Sequence, residues 1–156
     1  MRTIFIFILL GIQLVSHAQE LYSVSSGNVK FTSDAPLELI QASTDNIKGL
    51  VRSEDRSFAF RVDMKSFRGF NSDLQRTHFN ENYLETGKYP YTTFEGKIIE
   101  EISFFQPGSH EVRGKGKFTC HGISQERIIK CKLHISPDKL TVNADFSIFL
   151  TDNDIK

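Results

Sequence analysis

Four stretches of this sequence alternate apolar and polar side chains with a period of two, and that period fits an extended strand rather than a helix. From Phe58 to Lys65 the apolar positions are Phe58, Phe60, Val62 and Met64, with Arg61, Asp63 and Lys65 between them. Phe94, Gly96 and Ile98 alternate with Glu95 and Lys97, and Val112, Phe118 and Cys120 alternate with Arg113, Lys115, Lys117 and Thr119. From Leu140 to Leu150 every second residue is apolar, with Phe146 and Ile148 near its end. Strands with one wet and one apolar face belong to antiparallel sheets. Turn-forming groups at Ser33-Asp34-Ala35-Pro36, Gln106-Pro107-Gly108 and Ser136-Pro137-Asp138 punctuate them. The sequence therefore predicts a mostly β domain, folded as a barrel or a sandwich.

The rhythm breaks between Asn71 and Glu85. Ser72 followed by Gln75 has capping-box spacing, Gly87 is placed to end a helix, and Pro90 forbids its continuation. A helix of about three turns is expected here, with Leu74, Phe79 and Tyr83 as a partial apolar stripe. It would lie across the sheet or over one barrel mouth. A second short helix or turn is expected over Leu37 to Ala42.

The first eighteen residues have the parts of a cleavable export signal. Arg2 gives a positive start, Thr3 to Val15 an apolar run, and Ser16-His17-Ala18 small residues at −3 and −1 before Gln19. The run is short for a bilayer core of roughly 30 Å. Cleavage after Ala18 would leave one domain over residues 19–156, exported from the cytoplasm. Without Arg2 that domain carries 18 Lys and Arg against 19 Asp and Glu, with no basic run. This balance gives no reason to expect nucleic acid or an anionic surface as a standing partner, so any membrane contact is expected to be transient.

No phosphate loop, nucleophile elbow or zinc signature is present, and His78, His110, His121 and His134 show no metal-ligand spacing. Neither a catalytic residue nor a metal site is expected. Two cysteines in an exported chain invite a disulfide. If Gln125-Glu126 form a two-residue loop, Cys120 lies opposite Cys131 and Phe118 opposite Leu133. A register slipped by two places Cys120 against Ile129 instead, and a longer loop including Gly122 is a further alternative.

Three segments resemble the YceI-like, lipid/polyisoprenoid-binding family. His78-Phe79-Asn80-Glu81-Asn82-Tyr83, followed by Lys88-Tyr89-Pro90 and Phe94-Glu95-Gly96-Lys97-Ile98, is similar to its central signature. Gly116-Lys117-Phe118-Thr119-Cys120-His121-Gly122 resembles its hairpin, and Phe146 to Leu150 with Asp152 and Ile155 resembles its last strand and turn. The resemblance implies a lipocalin-like antiparallel barrel of about eight strands in the bacterial periplasm, holding an apolar lipid such as a polyisoprenoid or quinone. The lining expected on that basis is Phe58, Phe60, Val62, Met64, Phe79, Phe94, Ile98, Phe118, Leu133, Phe146 and Ile148, with His78 and His121 orienting a headgroup. The lipid would be a ligand, and no cofactor is expected.

Two departures stand out: Cys120 replaces a usually aliphatic residue, and the sequence stops at Asp154-Ile155-Lys156, short of the family's closing strand. The barrel is then expected to be open along an edge or closed by a partner, a homodimer among the options. A ligand-free β-sandwich serving interaction or envelope stress is the competing reading. An enzyme acting on a lipid, with His78 and His121 at its mouth, is the third.

Overall fold

A computed structural model describes residues 20–35 and 38–155. The expected export signal lies outside the described residues. The described residues form nine strands: β1 (Leu21–Ser23), β2 (Val29–Ala35), β3 (Glu38–Thr44), β4 (Ile47–Arg52), β5 (Ser57–Asp63), β6 (Tyr91–Ile98), β7 (Gly108–Cys120), β8 (Ile123–Ser136) and β9 (Lys139–Ala144). Seven of them make one antiparallel sheet in the order β1-β4-β5-β6-β7-β8-β9, and β2 and β3 pair as a separate hairpin. The result is a nearly closed antiparallel barrel with one seam and, among the described residues, a single short helix, which decides for barrel over sandwich. A backbone bridge between Ser43 and Arg68 ties the β2–β3 hairpin to the segment after β5.

Alternation held where it was expected over β5, β6 and β7, and the buried residues Phe58, Ile98, Val112 and Phe118 face inward from them. Two expectations outside these strands did not hold. Glu38–Thr44 is strand β3, not a helix or turn. Its pairing from Val29↔Thr44 to Ala35↔Glu38 satisfies the backbone groups of both strands. The last expected strand stops at Ala144 instead of Leu150. Phe146, Phe149 and Leu150 are exposed, while Ile148 packs half-buried against the core and Phe146 keeps a ring contact with Phe118. Alternation without a neighbouring strand to bond to does not make a strand.

The β7–β8 hairpin corrects the cysteine expectation. Its register pairs Cys120 with Ile123 and Cys131 with Val112, so Gln125 and Glu126 lie inside β8 rather than in the loop. Phe118 faces Gln125, and Leu133 faces His110. The turn is His121-Gly122, with φ of 50° and 73°. Two consecutive left-handed residues are the mark of a type I′ hairpin turn. Both cysteines are free thiols. Eight rungs of sheet separate their cross-strand partners, far beyond the Cα spacing of roughly 4–7 Å that a disulfide bridges.

The helix starts where the sequence places it. Ser72 Oγ accepts from the Gln75 N–H at 3.1 Å, and the Gln75 side chain returns a bond to the Asn71 N–H at 3.0 Å. Helix α1 covers only Asp73–His78, and a π-helical turn over Phe79–Tyr83 continues it. The wider turn rotates the expected stripe, burying Phe79 and leaving Leu74 and Tyr83 exposed. The chain reverses through Glu85, at φ 41°, and not through Gly87.

Candidate functional site

The barrel interior holds two apolar groups. At the end covered by the helical segment, Ala42, Met64, Phe67, Phe79, Leu84, Phe118, Cys120 and Ile155 are buried together, with Phe31, Val62, Phe70 and Ile148 half-buried against them. At the opposite end, Val51, Phe58, Ile98, Phe104, Val112 and Leu133 form the second group, with Phe60 beside it. Of the expected lining, Val62, Met64, Phe79, Phe118 and Ile148 belong to the first, and Phe58, Phe60, Ile98 and Leu133 to the second. Phe94 packs on both.

Aromatic rings link these groups to the surface. Phe146, 48% exposed beyond the edge strand β9, meets Phe118 edge-on at 5.9 Å between ring centroids. Phe118 lies 6.4 Å from Phe94, and Phe94 lies 4.8 Å from Phe58. A second aromatic set, Phe31, Phe67, Phe70 and Phe79, fastens the β2–β3 hairpin beneath the helical segment, with Phe31 and Phe79 stacked at 5.1 Å. These faces can hold hydrocarbon, and each buried methylene contributes about 0.8 kcal/mol.

His121 is buried at the mouth of the same barrel end. Its Nδ1 donates to the Asn153 carbonyl at 2.9 Å, and its Nε2 lies 2.8 Å from Glu85 Oε2. Tyr89 packs edge-on against the ring at 4.7 Å. Because a carbonyl oxygen only accepts, Nδ1 is the donor of the bond to Asn153. The joint brings together three non-glycine left-handed residues, Glu85, His121 and Asp154 at φ 41°, 50° and 51°. Such backbone costs on the order of 1 kcal/mol per residue and persists where surroundings hold it. His121 therefore binds the helical segment, the β7–β8 turn and the C-terminal segment to one another. His78, half-buried at the end of α1, is not part of this joint.

Outside the barrel wall, a polar cleft of about 530 Å³ is lined by Lys65, Arg76, Asn80, Glu81, Glu85, Thr86, Gly87 and Lys88. Among the described residues, no group of His, Cys, Asp and Glu could hold a metal ion, and no helix is long and apolar enough to cross a membrane. Burial pushes the Cys120 thiol above its ordinary range, so it is no activated nucleophile.

Sequence reasoning missed Glu85, Asn153 and the inner aromatics Phe31, Phe67, Phe70 and Phe104. The aromatics lie in segments without clean alternation. The Asn153 side chain is fully buried, its amide donating to the Phe149 carbonyl at 3.1 Å. Nothing in a local window marks an asparagine near a chain end for burial.

A model of the YceI-like domain matches residues 19–156. Among curated proteins, none matches the chain. A polyisoprenoid binding domain from Saccharophagus degradans implicated in plant cell wall breakdown is similar, with 15% identity and a TM-score of 0.64 over 89% of this chain and 82% of that one. BcnA of Burkholderia cenocepacia has 12% identity and a TM-score of 0.53 over 88% and 81% of the two chains. A YCEI protein of Campylobacter jejuni has 14% identity and a TM-score of 0.53 over 98% and 80%. At these identities the likeness speaks to fold.

Proposed function

This chain belongs to the YceI-like domain family, and from that premise we propose that it is an exported binding protein for an apolar lipid of polyisoprenoid type. The observation that carries the reading is the run of rings from exposed Phe146 through Phe118 and Phe94 to Phe58. It gives a hydrocarbon chain a continuous apolar wall from the seam to the interior. The polyisoprenoid binding described for the Saccharophagus degradans domain supports the same class of ligand. A quinone, whose tail is also isoprenoid, is the narrower candidate.

Binding rather than catalysis is the role proposed, with His121 holding the mouth together. The expected signal over residues 1–18 makes the periplasm the compartment. There an isoprenoid tail needs shelter from water, since exposing it costs about 25 cal/mol per Å². Lipid contact with the membrane would be brief, at loading and release.

The test is organic extraction and mass spectrometry of the protein purified from its native envelope, followed by titration of stripped protein with a polyprenol. A co-purified isoprenoid and saturable rebinding are expected. Protein that carries no lipid and takes up none when offered would overturn the proposal.

A further inference from the structure

The polar cleft outside the barrel wall has no part in the apolar binding described above. It lies between the turn after β5, which supplies Lys65, and the helical segment with its following loop, which supply Arg76, Asn80, Glu81, Glu85 and Lys88. Its volume of about 530 Å³ falls in the range of small-molecule clefts. A second hollow of about 330 Å³ shares Arg76, Asn80 and Glu81 with it.

One wall of the cleft is fixed by hydrogen bonds. The Asn80 amide donates to the Arg76 carbonyl at 2.9 Å, and its oxygen accepts from the Thr86 hydroxyl at 3.0 Å. Thr86 is 1% exposed, and its N–H donates to the Asn80 carbonyl at 2.8 Å. The π-helical turn over Phe79–Tyr83 closes with the Leu84 N–H on the Phe79 carbonyl. Single π turns recur at functional sites, and this one stands where Arg76, Asn80 and Glu81 share a wall.

Charge decides what the cleft suits. The cations of Lys65, Arg76 and Lys88 outnumber the carboxylates of Glu81 and Glu85, and Glu85 is already engaged by His121 Nε2 at 2.8 Å. Arg76 differs from the other arginines among the described residues. Arg52, Arg56, Arg113 and Arg127 each face a carboxylate, Arg68 donates to two backbone carbonyls, and Arg61 lies over the Tyr91 ring. The half-buried Arg76 guanidinium has no such partner among the described residues, although Glu81 lines the same cleft. Its planar fork of donors matches the oxygens of a phosphate, and lysines add point charges to the same group. A phosphate monoester carries about −1.5 to −2 at neutral pH, more than a single carboxylate brings to a set of cations.

We propose that this cleft binds a phosphate ester, with the Arg76 guanidinium as its principal ligand and Lys65 and Lys88 closing around it. The site does not rest on the lipid reading above. Two sources share the chemistry: a small soluble ester, and the phosphorylated end of an isoprenoid. The second is within reach because Met64, Phe79 and Leu84, next in sequence to Lys65, Asn80 and Glu85, belong to the buried apolar group behind this wall.

The probes are glycerol 3-phosphate, farnesyl phosphate and farnesol, titrated into the lipid-stripped full chain and followed by backbone amide NMR shifts. Wild type is compared with Arg76→Gln, Arg76→Lys, Glu81→Gln and, as a control on the outer face of β8, Lys132→Gln. Glycerol 3-phosphate should shift the amides between residues 76 and 88 saturably. Arg76→Gln should weaken that binding about tenfold, the loss expected for a charge-assisted bond, and Arg76→Lys should restore part of it. Glu81→Gln should tighten binding severalfold, a gain that no loss of structure would produce. Lys132→Gln should change nothing. Farnesyl phosphate that binds more tightly than both other probes, and loses the margin in Arg76→Gln, makes the isoprenoid the source. Equal affinity for the two phosphates makes it a soluble ester. A folded Arg76→Gln protein with wild-type affinity would overturn the proposal, as would wild-type amides that respond to neither phosphate. Farnesol bound without either phosphate would overturn the cleft and leave the lipid reading standing.

Discussion

At His121 a left-handed backbone, a buried ring and two acceptors coincide. Replacing it with Ala leaves Glu85 and the Asn153 carbonyl without their donor, and keeps a Cβ at φ 50°. His121→Ala should cost about 1 to 2 kcal/mol in urea unfolding, the usual penalty for orphaning one buried acceptor, here the Asn153 carbonyl, since the Glu85 carboxylate reaches water. A change below a few tenths would show that the joint does not hold the mouth. The His-Gly pair was visible as a motif, but the sequence reading gave the ring to a headgroup, because nothing local reveals that Glu85 and Asn153 fold back onto it. The cysteines behave similarly. Denatured, unreduced protein should show two reactive thiols, and in the native protein Cys120 should react more slowly than a free thiol, since burial raises it above its ordinary range. A single mass shift with no thiol reactivity would contradict the hairpin register.

The turn between β4 and β5 carries a pH-sensitive contact. The Ser57 hydroxyl and N–H donate to Asp55 Oδ1 at 2.6 and 3.1 Å. These bonds, helped by Lys97 and Arg52, lower the Asp55 carboxyl from its ordinary 3.8 to about 2. With the folded value below the unfolded one, the ionised group stabilises the fold fully above about pH 4 and progressively less as pH falls through about 2. Asp55→Asn should therefore be less stable than wild type at neutral pH, with the gap closing towards pH 2 in thermal melts. A gap that stays constant would place the effect outside the carboxylate. The helix shows how far an element can be read locally. Its start at Ser72 was legible because a cap is a contact within four residues. Its π-helical continuation and its reversal at Glu85 were not, because packing of Phe79 on Phe31 of the β2–β3 hairpin and on Phe70 selects them.

For the whole molecule, the long β7–β8 hairpin lies between paired strands on both sides, whereas residues 145–150 after β9 are mostly exposed and join no ladder. Hydrogen exchange should be slowest in β7 and β8 and fast over residues 145–150, and a bound polyprenol should slow the latter. Equal protection across both, or no response to lipid in a protein that binds it, would argue against entry at the seam. By itself the sequence determined the antiparallel β class, the helix start, the Pro137-Asp138 turn and most of the inward-facing residues of β5, β6 and β7. Each depends on side-chain period or on contacts a few residues apart. The family resemblance carried by its motifs pointed to the barrel, but only the tertiary structure decided the His121-Gly122 register that parts the cysteines, the end of β9 at Ala144 and the joint of Glu85, His121 and Asn153. Those depend on which distant strand or carbonyl is present to complete a hydrogen bond, and a period of two fits every such arrangement equally well.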